Sequence, residues 1–206
     1  MILPLVLCGI AEVEPLPAVP EGYTIEVVAE QPIMLDTAAF CIADNGDFYL
    51  AETQRQDRGV EDNRNSPFWL VDDLASRTVE DRYRVFEKWA HKRENGIDFY
   101  REWADDVVRI RDTDGDGIFD DRQRFAGPFN EVLDGGGAGL FPLNGDIWYT
   151  NIPHLWRLRD QDGDGTADEQ ESLFQGFGVR AALRGHDMHG LVMGPDGRMY
   201  WSIGDR

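Results

Sequence analysis

Hydrophobic and polar residues alternate in short runs through most of the chain, which predicts β-strands rather than long helices. The clearest runs are Tyr23 to Ala29, Ala38 to Ala43 and Phe48 to Glu52. The last two flank an Asn-Gly turn, the strongest short signal for a hairpin. Similar hairpins are predicted around Gly145 and Gly197, where strand-like residues again follow the glycine. The pattern therefore predicts an all-β chain.

A unit of about 50 residues recurs along the chain. Gly145 and Gly197 are 52 residues apart, and the segment RIRDTDGDG, which starts at Arg109, is matched 48 residues later by RLRDQDGDG, which starts at Arg157. Each unit is predicted to contain a hairpin, a strand, an aspartate-rich loop and a fourth strand. Four short strands per unit of this size are typical of a β-propeller blade. We expect about three blades, which is an incomplete propeller and therefore a fragment of a longer one.

The first unit contains an insertion, predicted at residues 53–105. Phe68 to Ala75 and Thr78 to Lys92 carry apolar residues at helical spacing, and Ser76 offers a cap near the second of these helices. Ile97 to Trp103 is a third candidate helical segment. We therefore expect a helical insertion whose aromatic residues pack onto the blades.

The N-terminus carries an apolar stretch, Ile2 to Ile10, that has the length of the hydrophobic part of a signal peptide and is too short to span a bilayer. No Lys or Arg precedes it, so residues 1–20 are predicted to be a shortened signal peptide and a proline-rich spacer. A disordered cytosolic start is the alternative. Residues 21–206 would then be the propeller domain of a periplasmic or secreted protein without a transmembrane helix.

The chain is strongly acidic, with 39 Asp and Glu against 20 Lys and Arg and a net charge of −19. Such a charge argues against nucleic acid as a partner, because a phosphate backbone requires a basic surface. The acidic residues are partly clustered, which points to cations instead. Cys8 and Cys41 are the two cysteines, and Cys41 is expected to be a buried thiol.

The best-defined motif is the loop that begins at Asp160, where carboxylates fall at positions 1, 3, 5 and 9 and a glycine falls at position 6. This is the ligand pattern of a twelve-residue calcium loop, because a hard cation takes six to eight oxygens and alternate residues of a curling loop point them inward. Strand-like flanks favour a structural rather than a switching role. The predicted ligands are Asp160, Asp162, Asp164, Thr166, Asp168 and Glu171.

The loop that begins at Asp112 is a degenerate copy, since Gln123 stands at its twelfth position. We predict a weaker calcium site here, to which Asp121 could contribute. For both loops the alternative is an Asp-Gly-rich turn without a metal. The predicted ligands of this copy are Asp112, Asp114, Asp116, Ile118 through its main chain, and Asp120.

Two histidines, His186 and His189, stand just before the third hairpin. Alignment of the hairpin glycines places Asp134 at the position of His186, one blade away, at the mouth of the central channel. An imidazole beside a carboxylate can act as a general base, so these three residues are the candidate catalytic group. The adjacent glycines, 135–137, would let a ligand approach the backbone. Hydrogen bonding of the histidines to neighbouring loops is the alternative.

The segment from His186 to Asp205, with the pattern HxxxxL followed by GPDGxxYxxxGD, resembles the active-site stretch of soluble quinoprotein glucose and aldose-sugar dehydrogenases. That resemblance implies a six-bladed propeller, calcium, pyrroloquinoline quinone (PQQ), and His186 as the base that takes the hydroxyl proton. The insertion, the DxDGDG loops and GHDMHGL together resemble large secreted propeller proteins of planctomycete-type bacteria. These are described as membrane-bound dehydrogenases and are commonly fused to a haem-binding cytochrome c domain.

The resemblances imply an extracytoplasmic dehydrogenase that oxidises a sugar or alcohol and delivers electrons to a cytochrome c domain or another acceptor. The chain has no Cys-x-x-Cys-His motif, so no c-type haem is expected in it. A non-catalytic, calcium-stabilised propeller that binds glycan or protein partners is the alternative function.

Overall fold

The computed structural model describes residues 16–181 and 186–204. The predicted signal sequence up to residue 15, Cys8 and Asp205 lie outside the described residues. The described part contains ten β-strands and two short α-helices, so the prediction of a mostly β chain is confirmed.

The strands form three antiparallel sheets in which neighbours in sequence are neighbours in space. The predicted order of hairpin, strand, aspartate-rich loop and strand is confirmed in the first two units. The first sheet contains β1 (Thr37–Ile42), β2 (Phe48–Glu52), β3 (Asp105–Arg111) and β4 (Asp121–Phe129). The second contains β5 (Gly139–Leu143), β6 (Asp146–Asn151), β7 (His154–Arg159) and β8 (Glu169–Gln175). The third is the hairpin of β9 (Met188–Met193) and β10 (Met199–Ile203).

The sheets pack face to face, with the second between the other two. Tyr49 and Phe125 of the first sheet pack against Leu140 and Tyr149 of the second in one apolar core. On its other face, the second sheet packs against the third around Leu191. The first strands of the three sheets adjoin: β5 lies between β1 and β9. The starts of these three strands therefore meet at one end of the stack.

All helices of the described chain lie between β2 and β3. They are α1 (Leu70–Ala75) and α2 (Val79–Trp89), with 3-10 turns at Pro67–Trp69, Ala90–Lys92 and Gly96–Arg101. The cap of α2 is Thr78 rather than Ser76, since the Thr78 hydroxyl accepts from the Asp81 N–H while the Asp81 carboxylate accepts from the Thr78 N–H. Trp69, Phe86 and Tyr100 form the core of this insertion.

The strand predicted at Tyr23 to Ala29 is wrong. This segment is not part of any sheet of the described chain. The carbonyl of Val28 accepts a hydrogen bond from the Phe119 N–H (2.8 Å), but no strand pairs along the segment's length. A strand requires a ladder of such bonds, which alternation in the sequence cannot supply. No helix in the described residues is both long enough and apolar enough to cross a membrane.

Candidate functional site

A small cavity of about 100 Å³ opens where the starts of β1, β5 and β9 meet. Four segments that are distant in sequence supply its walls: the start of β1, the first residues of the insertion, the glycine segment before β5, and the residue before β9. Its polar lining consists of Thr53, Gln56, Glu61, Asp187 and the main chain of Gly136 and Gly137. Two of these side chains are carboxylates, so the cavity offers acceptors to a ligand that carries hydroxyl groups.

Asp187 is the residue of the third unit that lines this cavity, and it is buried. The flanking histidines are exposed. The His186 carbonyl accepts from the Gly204 N–H (3.3 Å), and Nδ1 of His189 lies 3.5 Å from Ser202 Oγ. Sequence reasoning selected His186 and His189 for their chemistry and missed the aspartate between them. The signal that could have found Asp187 is its alignment with Gly135 of the glycine segment, 52 residues earlier, next to the apolar Met188.

Asp134 is buried beneath the cavity rather than in its lining. Its Oδ2 accepts the Glu131 N–H (2.8 Å), so it closes the turn before the glycine segment. Burial raises the pKa of Asp134 to about 6. Asp134, which the sequence predicts to be catalytic, therefore lies outside the cavity lining and stabilises the loop that precedes the glycine segment.

The glycine segment is shaped by packing within the protein. A Cβ atom at Gly137 would overlap the Tyr149 hydroxyl, and one at Gly135 would overlap Ile152 and lie 2.6 Å from Asp187 Oδ1. These glycines therefore let Asp187 and the second sheet approach the backbone closely. The approach of a ligand to these glycines stays a prediction, and Gly136 and Gly137 do line the cavity.

A buried arginine, Arg55, holds the floor of the site together, and sequence reasoning missed it. Its guanidinium donates to three main-chain carbonyls, those of Tyr100 (2.7 Å), Asp134 (2.8 Å) and Glu131 (3.0 Å). Its side chain is fully buried, which an arginine tolerates only when charges and acceptors surround it. Arg55 therefore connects the insertion to the loop that precedes the glycine segment.

Asp105 is a second buried side chain that holds the segments under the cavity together. Its Oδ1 accepts the N–H groups of Gln54 (2.8 Å) and Arg55 (3.1 Å), and its Oδ2 accepts the Gly137 N–H (3.3 Å). Burial raises the pKa of Asp105 to about 6, and the positive charge of Arg55 acts in the opposite direction. The cavity thus rests on a buried cluster in which two carboxylates face one arginine.

Glu61 joins the cavity to the helical insertion. Its Oε2 accepts from Arg93 (2.8 Å), whose guanidinium lies over the rings of Phe68, Trp69 and Phe99. Burial raises the pKa of Glu61, and the Arg93 charge opposes that shift. The insertion therefore supplies a lining carboxylate and fixes it through cation–π packing.

The two aspartate-rich loops form separate acidic clusters outside the cavity. In the second loop, ligand atoms of Asp160, Asp162 and Asp168 lie within 4.8 Å of one another. Both oxygens of Asp160 accept main-chain N–H groups, from Gly163 (2.7 Å) and Gly165 (2.8 Å). Clustered carboxylate oxygens of this kind suit a hard cation such as calcium.

The first loop repeats the backbone hydrogen bonds of the second, but its third clustered aspartate is at position 5 rather than position 9. Ligand atoms of Asp112, Asp114 and Asp116 lie within 4.8 Å of one another, and Asp112 accepts the Gly115 and Gly117 N–H groups at 2.8 Å each. Hydrogen bonds from the backbone, that of Gly117 first, lower the pKa of the Asp112 carboxyl.

The predicted ligands at positions 5, 7 and 9 of the two loops are joined by hydrogen bonds within each loop. Asp164 and Asp116 accept the N–H groups of the position-7 residues, Thr166 (2.7 Å) and Ile118 (2.8 Å). At position 9, Asp168 accepts the Gln161 N–H (2.7 Å) and Asp120 accepts the Thr113 N–H (3.0 Å).

The twelfth position of each loop lies on a strand. Glu171 is on β8 and forms an ion pair with Arg157 rather than joining the close aspartates. Its counterpart Gln123 lies on β4 and donates to Thr166 Oγ1 (3.0 Å) of the other loop. Gln123, which the loop pattern treats as a defective ligand, therefore joins the first sheet to the second loop.

Comparison with protein families gives one match, which covers residues 16–206. The matching family model is described as a domain of unknown function, DUF7133. The chain belongs to this family. The same comparison finds no match to this chain among curated proteins and none among solved structures.

The cavity of the DUF7133 domain does not fit the quinone cofactor that the resemblance implies. PQQ is a flat molecule with several carboxylates, so it requires facing cations and a cleft of several hundred Å³. The cavity has about 100 Å³ and presents Glu61 and Asp187, and the nearby Arg55 is directed at carbonyl oxygens. Quinone binding therefore stays a prediction from the sequence. This cavity has neither the volume nor the facing cations that the quinone requires.

Proposed function

We propose that the DUF7133 domain forms successive blades of a β-propeller. Two four-stranded antiparallel sheets and a hairpin, packed face to face with their first strands adjoining, support this arrangement. The proposal gives the cavity a place at one end of the central channel, where the starts of the inner strands meet.

The function that the geometry supports best is recognition of a sugar or alcohol at this cavity, as part of an extracytoplasmic dehydrogenase-type protein. The observation that carries the proposal is the pair of carboxylates, Glu61 and Asp187, in a small concave site on a rigid buried floor. A substrate hydroxyl would donate a hydrogen bond to one of them. Asp187, or the neighbouring His186 that the resemblance selects, would take the hydroxyl proton during oxidation. The hydrogen on the carbinol carbon would leave with two electrons, as hydride, to a two-electron acceptor that a separate domain or protein would supply.

Calorimetry with a panel of sugars and polyols, followed by dye-linked oxidation with added calcium, both with and without PQQ, tests this proposal. We expect Asp187→Asn to weaken binding about tenfold or more, because it removes a buried charged acceptor. His186→Ala should lower turnover while leaving binding nearly unchanged. His91→Ala, an exposed histidine of the insertion, is the matched control. Equal binding and turnover in all three variants would remove the cavity from the function.

A second candidate is a non-catalytic propeller that binds glycan or protein. The specific observation that favours it is the poor fit of the cavity to a quinone. Saturable glycan binding that Asp187→Asn abolishes, without turnover with any electron acceptor, would select this candidate over the dehydrogenase.

We also propose that both aspartate-rich loops bind calcium as a structural ion. The backbone hydrogen bonds of the two loops recur at an offset of 48 residues, and each loop brings its first two aspartates together with a third, which supports a shared structural role. Calcium at a hundredfold excess over Kd should raise the free energy of unfolding by about 2.7 kcal/mol per site.

Thermal unfolding with calcium and with chelator measures this stabilisation. Asp160→Asn and Asp112→Asn should each reduce it by roughly one site, while Asp98→Asn, outside both loops, should leave it intact. A melting temperature that does not respond to calcium would refute the structural-ion proposal.

A further inference from the structure

The connection between β8 and β9, which joins the second sheet to the third, runs over the helical insertion. Its first residues stay on the second sheet, since the N–H groups of Gly176 and Phe177 donate to the Pro153 carbonyl (3.0 and 3.3 Å). Ala181 then lies in the apolar core of the insertion and is 2% exposed. The chain therefore crosses to the insertion before it reaches β9.

Two side chains of the insertion bind both main-chain polar groups of Ala181, and we call this pair, Asn63 and Asp73, the clamp. The Ala181 N–H donates to Asp73 Oδ1 (2.7 Å), and the Ala181 carbonyl accepts from Asn63 Nδ2. Asn63 also donates to Asp73 Oδ2 (2.9 Å) and accepts from Trp69 Nε1 (2.7 Å). A buried network whose members are bonded to one another is rigid, so the clamp fixes Ala181 on the insertion.

The connection that the clamp holds also carries Asp187, a lining residue of the cavity, six residues after Ala181. The next residue, Met188, begins β9, and its carbonyl accepts from Thr150 Oγ1 (2.6 Å). Asp187 therefore lies between two residues that hydrogen bonds hold in place. One of the two, Ala181, is held by the insertion.

The insertion also holds the segment that forms the opposite wall of the cavity. Arg82 of α2 is buried and donates to the Leu133 carbonyl (2.6 Å), and Arg55 donates to the carbonyls of Glu131 and Asp134. These carbonyls belong to the loop that precedes the glycine segment. Both connections between sheets that contribute to the cavity are therefore bound by the insertion.

We propose that Asn63 and Asp73 are positioning residues for the cavity, because by holding Ala181 they place Asp187 against the glycine segment. The two walls are close together, since a Cβ at Gly135 would lie 2.6 Å from Asp187 Oδ1. The clamp does not line the cavity, so it acts on a ligand through the position of Asp187. The inference rests on the proposed function for the role of Asp187 in binding, while the clamp itself can be tested without a ligand.

Amide hydrogen exchange tests the clamp through Asp73→Asn. An amide has one oxygen, so it can accept from Asn63 or from Ala181 but not from both, and the size of the side chain is unchanged. We expect the amides of Ala181, Asp187 and Met188 to exchange about tenfold faster or more, because the connection loses a buried hydrogen bond. Exchange in β2 should stay the same, whereas a general loss of stability would accelerate it as well.

Two further variants complete this experiment. Asp72→Asn makes the same chemical change one residue earlier on α1, where the carboxylate accepts from Trp89 Nε1 outside the clamp, and it should leave exchange at Asp187 unchanged. Asn63→Ala removes both donors of the clamp and should accelerate exchange at Asp187 at least as much as Asp73→Asn does. Acceleration that is confined to Ala181, or that is equal in the Asp73 and Asp72 variants, would overturn the inference.

Calorimetry with glucose and with glycerol connects the clamp to the cavity. Asp73→Asn should raise the Kd of a probe that the wild type binds about tenfold, whereas Asp72→Asn should leave it unchanged. An unchanged Kd in Asp73→Asn would overturn the positioning role. A wild type that binds neither probe would count against the proposed function instead, and the exchange measurement would still decide whether the clamp holds Asp187.

Discussion

The first two sheets are built on one repeat, yet only the first carries the helical insertion, which supplies one wall of the cavity. Between β6 and β7 the second sheet has a tight turn, Ile152-Pro153, where the first sheet has the whole helical insertion. Arg55 and Glu61 come from that insertion and have no counterpart. Asp105 stands where the second unit has Pro153. What the two units share maintains the stack, and what only the first unit has adds Glu61 to the lining of the site and Arg55 to its floor.

The aspartate-rich loops are a feature that both units share, and they help to maintain the stack. Each loop contacts the element in front of its own sheet through one N–H group, Phe119 in the first loop and Ala167 in the second. The second loop contacts a complete sheet and gains a side-chain partner, Gln123. The first contacts only the unpaired segment around Val28. The second copy of the motif therefore has more hydrogen bonds to the element in front of its sheet than the first copy has.

The largest loss of stability is expected at Arg55, a buried residue that only the first unit has. Arg55→Ala should lower the free energy of unfolding by about 3–5 kcal/mol, because it leaves buried carboxylates and carbonyl oxygens without their partner. Chemical denaturation measures the loss. Arg84→Ala, which removes an exposed arginine of α2, should cost less than about 1 kcal/mol. Equal losses in the two variants would contradict the role assigned to Arg55.

The sequence predicts much of what the units share, because these features are local. Hairpins around Gly46, Gly145 and Gly197 follow from turn chemistry and alternation, and the aspartate-rich loops follow from spacing. Neither signal requires knowledge of distant neighbours. The strand predicted at Tyr23 to Ala29 failed for the opposite reason, since a strand depends on a partner that local alternation does not reveal.

The site was less predictable because it is assembled from distant segments. Arg55, Asp105 and Asp187 are 50 residues or more apart in sequence and meet only through tertiary packing. Alignment of the repeat selects the two segments, before β5 and before β9, that the structure brings together at the cavity. Within them it favoured the histidines, because burial, which distinguishes Asp187 from His186, is not visible in a single sequence.

The buried carboxyl groups of Asp105 and Asp134 should make the free energy of unfolding depend on pH. This effect is expected to be smaller than that of Arg55→Ala. Burial raises the pKa of Asp105 and of Asp134 to about 6, so the folded state binds protons more tightly than the unfolded state. Their contribution to stability is full below the ordinary carboxyl pKa and is lost as the pH rises through about 6. Each should reduce the free energy of unfolding by roughly 2 kcal/mol across this window.

Denaturation at a series of pH values from about 4 to about 7, without added calcium, measures that slope. Asp105→Asn should reduce the slope even if it lowers the overall stability, because an amide does not titrate. Asp98→Asn, an exposed carboxyl of the insertion, should leave the slope unchanged. A slope that Asp105→Asn does not alter would show that this carboxyl is ionised in both states.

The smallest expected effect is a difference in stability between equivalent glycine variants of the two aspartate-rich loops. Gly117 and Gly165 are equivalent and have nearly the same φ, +91° and +90°, so alanine should strain each loop by about 1 kcal/mol. A Cβ at Gly117 meets nothing within 4 Å, whereas one at Gly165 would overlap the guanidinium of Arg109. Arg109 donates to Gln123 (2.7 Å), so Gly165→Ala should also disturb the junction between the sheets. We expect Gly165→Ala to cost about 1 kcal/mol more than Gly117→Ala in chemical denaturation at saturating calcium. Equal costs would mean that the second loop is no more firmly embedded than the first.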